Sequence, residues 1–84
     1  MEKIKGPNQK KIELKDYQTA AIITNKFNGG GVYITSTRLS EVVLVFDFHI
    51  ETSVDVYIND SYQFRISNVE KLFIDYKEVN IDEL

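Results

Sequence analysis

The chain contains no cysteine and no tryptophan, and it has one proline (Pro7), one histidine (His49) and two alanines. Without cysteine there is neither a disulfide nor a thiolate cage for a metal ion. That composition suits a reducing compartment, so a cytoplasmic location is expected. No stretch approaches the ~18 consecutive apolar residues of a membrane span, so no membrane partner is expected. The segment from Met1 to Pro7 lacks the apolar core of a signal peptide. The ending Ile81-Asp82-Glu83-Leu84 looks like a retrieval signal of the KDEL type, but without an entry signal it is read as coincidence.

What is abundant points one way. Val, Ile, Thr, Tyr and Phe make up 33 of the 84 residues, whereas Leu contributes only five. Side chains branched at Cβ or aromatic suit a pleated surface and lose rotamer freedom in a helix. Eighty-four residues allow one core, so the chain is read as a single all-β domain over 11–84 behind a flexible tail over 1–10. Charge divides at nearly the same place. Residues 1–15 carry five Lys against two Glu, while residues 16–84 carry five basic and eleven acidic side chains. An acidic body opposes phosphate binding, which works by counterion release to basic groups.

Short strands are expected at 11–15, 19–27 and 32–35, with Asn28-Gly29-Gly30-Gly31 supplying a hairpin turn and 36–41 another turn. From Val42 the alternation is regular. Val42, Leu44, Phe46, Phe48 and Ile50, then Val54, Val56 and Ile58, then Tyr62, Phe64 and Ile66, then Leu72, Ile74 and Tyr76 are all even-numbered. A period of two buries one face of each strand. If all four runs face one core, loops of three residues at 51–53, 59–61 and 67–69, or a bulge, are required to keep parity. A two-residue turn at Asn59-Asp60 would set Val56 opposite Gln63 and turn Tyr62, Phe64 and Ile66 to the other face, so the three-residue loop is preferred. The expected architecture is a small antiparallel meander of six or seven strands, closing as a barrel or folding over as a sandwich. A short C-terminal helix near 68–77 competes with the last strand, because Ser67-Asn68-Val69-Glu70 matches a capping box.

Three-residue loops also define the outer face. They set His49 opposite Asp55, Asp55 opposite Arg65 and Arg65 opposite Lys71. In the next row they set Asp47 opposite Tyr57, Tyr57 opposite Gln63 and Gln63 opposite Phe73. Asp47, His49 and Glu51 on one strand, with Asp55 across, are the candidate metal ligands. Alternate residues on a strand lie ~7 Å apart, so these are read as surface polar groups, with no metal and no cofactor expected. No nucleophile elbow, P-loop or dinucleotide fingerprint is present, and a non-enzyme is expected.

Val43, Val45, Tyr57 and Phe73 put apolar surface on that outer face, which the N-terminal hairpin or a partner must cover. With Asp47 and Arg65 they form the candidate partner-binding set. The expected function is a small module that docks on a protein. Two alternatives are a single-strand nucleic-acid-binding barrel, which would stack bases on Tyr33, Tyr57, Tyr62 or Phe73, and a self-assembling structural component. The abundance of Ile, Asn, Lys, Tyr and Phe matches an AT-rich genome, as of a bacterium or its phage, and associates the chain with small regulators or inhibitors.

Overall fold

A computed structural model describes residues 9–24, 30–49 and 51–81. Eight strands form in chain order: β1 (Gln9–Glu13), β2 (Thr19–Thr24), β3 (Gly31–Thr35), β4 (Val42–Asp47), β5 (Ser53–Ile58), β6 (Ser61–Ile66), β7 (Val69–Ile74) and β8 (Lys77–Val79). They build two four-stranded antiparallel sheets rather than a closed barrel. The front sheet has the order β1-β4-β5-β6 and the back sheet β3-β2-β7-β8. Their facing sides share one core, in which Leu44, Phe46, Val54 and Val56 of the front sheet pack with Ala20, Ile22 and Leu72 of the back. No described helix is long and apolar enough to cross a membrane.

The tail expected over 1–10 overlaps a strand at its end. Gln9 and Lys10 already belong to β1, which pairs with β4 from Gln9↔Asp47 to Glu13↔Val43, and residues 1–8 lie outside the described residues. The strand expected over 19–27 is described only to Thr24. The Asn28-Gly29 part of the expected hairpin turn, and Ile50, also fall outside.

Three local devices replace the expected three-residue loops. At the end of β4 the backbone N–H of His49 donates to Asp47 Oδ1 at 2.9 Å. This side-chain turn ends the strand at Asp47, three residues before the expected end at Ile50. The pairing becomes Asp47↔Ser53, Val45↔Asp55 and Val43↔Tyr57. Parity survives, but His49 does not face Asp55 and Asp47 does not face Tyr57.

Between β5 and β6 the loop has two residues. Asn59 and Asp60 both adopt left-handed backbone angles, φ 52° and 66°, as a type I′ hairpin turn requires. Asn59 is tied to the β3–β4 loop by three bonds. Its N–H donates to Glu41 O, its Oδ1 accepts from Glu41 N–H, and its amide donates to Leu39 O. The short turn sets Tyr57 opposite Tyr62, and a bulge at Gln63 then restores Val56↔Phe64 and Asp55↔Arg65. Tyr62 therefore points outward with Tyr57 and is no core residue.

The largest departure follows β6. Residues 67 and 68 carry the chain across to the back sheet, so β7 pairs with β2 and β8, and neither Arg65↔Lys71 nor Gln63↔Phe73 forms. The helix near 68–77 does not form either. Its would-be capping donors are taken by the 51–52 loop, the Asn68 N–H by Glu51 Oε2 and the Val69 N–H by Thr52 O. A bulge at Glu70 lets odd-numbered Val69 and even-numbered Leu72 both reach the core. Asp75 and Tyr76 form the β7–β8 turn, and Tyr76 is 83% exposed rather than buried.

Candidate interaction surface

The front sheet presents its outer face as rows set by register. One row runs Glu13, Val43, Tyr57, Tyr62, and the next runs Lys11, Val45, Asp55, Arg65. Odd-numbered residues of β4 and β5 point this way because their even neighbours fill the core. Val45 is nonetheless buried, at 2% exposure, in the middle of the sheet and flanked in register by Lys11 and Asp55. The expectation that the N-terminal hairpin covers this face fails: β1 lies beside β4 as an edge strand, and β2–β3 pair within the back sheet.

Two side-chain pairs organise the β5–β6 end of this face. The Tyr57 and Tyr62 rings meet edge to face, with centroids 5.7 Å apart and planes at 68°. This is the geometry favoured by aromatic quadrupoles. Beside them Arg65 grips Asp55 as a fork, Nε to Oδ1 at 2.8 Å and Nη2 to Oδ2 at 3.0 Å. The bond to Asp55 and its negative charge raise the Arg65 pKa, helped by Asp47, so the guanidinium keeps its charge throughout the ordinary pH range. Phe64, on the inner side of the same strand, is 41% exposed at the sheet edge.

Of the six residues read from the sequence as partner-binding, Val43, Val45, Asp47, Tyr57 and Arg65 share this face. Phe73 does not. It pairs with Ala21 and Glu78 on the outer face of the back sheet, the opposite side of the sandwich. No sequence signal separates Phe73 from the others, because alternation reports parity and not which sheet a strand joins.

The candidate metal ligands partly converge. Asp47, His49 and Glu51 line a concavity of about 330 Å³ together with Ser53, Arg65 and Ser67. Their carboxylates serve the fold: Asp47 receives the His49 N–H, Glu51 receives the Asn68 N–H, and Asp55 receives Arg65. Among the described residues no three His, Asp or Glu side chains gather closely enough to hold a metal ion. The preference for a three-residue loop assigned Tyr62 to the core, whereas it points outward. Asn59-Asp60, a strong two-residue turn signal, was the feature that reveals it.

No known family model matches the chain, and neither does any curated protein or solved structure.

Proposed function

We propose that this protein is a small, non-catalytic module that docks on a protein partner through the outer face of its front sheet. The observation that carries the reading is the Tyr57–Tyr62 pair, Tyr62 exposed and Tyr57 half-buried, set beside the Asp55-held Arg65. Tyr and Arg are the residue types that concentrate binding energy at protein interfaces, since each buries a large rigid area and keeps a polar handle. A guanidinium already aligned by a carboxylate loses less freedom on binding than a free one. A short, acidic, cysteine-free chain fits a phage or mobile-element regulator or inhibitor of a host protein, working in a reducing cytoplasm.

The test separates the two faces. Immobilised wild-type protein, a Tyr57→Ala/Tyr62→Ala variant and a Phe73→Ala variant are each exposed to lysate of the source cell. A partner retained by the wild type and by Phe73→Ala, and lost from the double variant, supports the front face. Hot-spot truncations of this type cost ~2 kcal/mol or more each, so affinity falls at least about 30-fold. Equal capture by all three overturns it. A salt-sensitive shift of single-stranded oligonucleotides by the wild type would instead favour nucleic acid.

A further inference from the structure

Four strands bound the two sheets, and three of them carry devices that discourage pairing with another strand. β1 bears Lys10, Lys11 and Glu13. β6 bears Arg65 and the bulge at Gln63, and β8 is three residues long and bears Lys77 and Glu78. Edge charges, bulges and short edges are how sheets avoid joining edge to edge. β3 has none of these. Gly31-Val32-Tyr33-Ile34-Thr35 holds no charge, no proline and no bulge.

The hydrogen-bond phase of β3 is fixed by its ends. Ser36 N–H donates to Gln18 O at 2.9 Å, and Thr24 N–H donates to Gly30 O at 3.5 Å. In an antiparallel ladder, bonding alternates along the strand. Even-numbered residues of β3 therefore turn their backbone groups toward β2, and Gly31, Tyr33 and Thr35 turn theirs toward the open side.

We infer that this edge pairs with the same edge of a second copy, antiparallel and centred on Tyr33. The strand is complementary to itself in that register. Tyr33 faces Tyr33 of the other copy, Gly31 faces Thr35, and Val32 faces Ile34, so every pair joins residues of one face. No like charges are opposed, because the strand has none. Val32 and Ile34, which pack partly buried against the core, meet their counterparts on the inner face. Tyr33, 65% exposed, meets its counterpart on the outer face. Each copy contributes three N–H and three C=O groups, and the two back sheets become one continuous eight-stranded sheet. An edge of five residues buries little area, which places the dimer in the weak, reversible class.

Sedimentation over a concentration series up to ~1 mM, with amide hydrogen exchange at both ends of the series, tests the pairing. The expected result is a mass rising from monomer toward dimer. The Gly31, Tyr33 and Thr35 amides should slow with concentration, while the Val32 and Ile34 amides, bonded to β2, stay protected throughout. Tyr33→Pro removes an outward N–H without touching the β2 ladder, and Tyr33→Lys opposes two cations. Both should remain monomeric. Should the proline variant lose the Val32 and Ile34 protection through misfolding, the lysine variant decides. A monomer at every concentration, a dimer that survives Tyr33→Lys, or concentration-dependent protection confined to β6 would each overturn the inference.

Discussion

Two tyrosines stand where the backbone would prefer glycine. Tyr17 occupies the left-handed position of the Lys15–Gln18 turn at φ 66°, and Tyr76 the second position of the Asp75-Tyr76 turn at φ 68°. A side chain there costs ~1–2 kcal/mol, because its Cβ crowds the following carbonyl. Neither ring recovers that by packing, since they are 65% and 83% exposed. Tyr76→Gly creates the Asp-Gly sequence that type I′ turns favour. After the extra unfolded-state entropy of glycine is allowed for, it should stabilise the protein by ~0.5–1 kcal/mol in urea unfolding. A loss of stability would show that the ring packs in solution. The Arg65–Asp55 fork belongs to the same scale. The Arg65 side chain is 47% exposed, so water and salt screen the pair. A double-mutant cycle of Arg65→Ala and Asp55→Ala should give a coupling below ~1 kcal/mol that shrinks in high salt. Because Asp55 raises the Arg65 pKa, the arginine side of this stabilisation is present below the unfolded-state value. It is lost only as pH rises through the still higher folded value.

At the scale of elements, turns and crossings decide what alternation leaves open. The even-numbered run through β4 and β5 was legible as core, and Val42, Leu44, Phe46, Val54 and Val56 are indeed all buried. The partners across the strands were not legible, because a side-chain hydrogen bond from His49 to Asp47 moves the β4–β5 register by four residues without changing parity. A bulge was foreseeable as one way to reconcile a two-residue turn with an unbroken alternation, and the one that forms at Gln63 returns Asp55 and Arg65 to each other. The crossing from β6 to β7 is held by a bond no alternation reports. Thr24, fully buried, donates its hydroxyl to Ser67 O at 2.9 Å. Thr24→Val keeps the shape and removes this donor. It should cost ~1–2 kcal/mol in chemical denaturation with little change in secondary structure by circular dichroism.

For the whole molecule, the crossing at 67–68 turns a meander into a sandwich and divides the outward apolar residues between two faces. The front face keeps Tyr57, Tyr62, Val43 and Arg65 together; the back face holds Tyr33, Ala21 and Phe73 in one row. A surface that looked continuous in sequence is therefore two surfaces, and the two proposed contacts, a protein partner in front and a second copy at the β3 edge, use different sheets. Loss of either contact by mutation should leave the other intact.

Composition and alternation by themselves determined an all-β chain, the inward set of β4 and β5, and the outward direction of Val43, Tyr57, Arg65 and Phe73. These follow from the period of two, which is local and survives any even shift of register. Only the tertiary structure decided which strands are neighbours, that Tyr62 turns outward, that Phe73 belongs to the opposite face, and that among the described strands β3 is an edge. Those outcomes depend on single hydrogen bonds at Asp47, Asn59 and Glu51 and on a two-residue crossing between sheets, contacts between segments that no local pattern encodes.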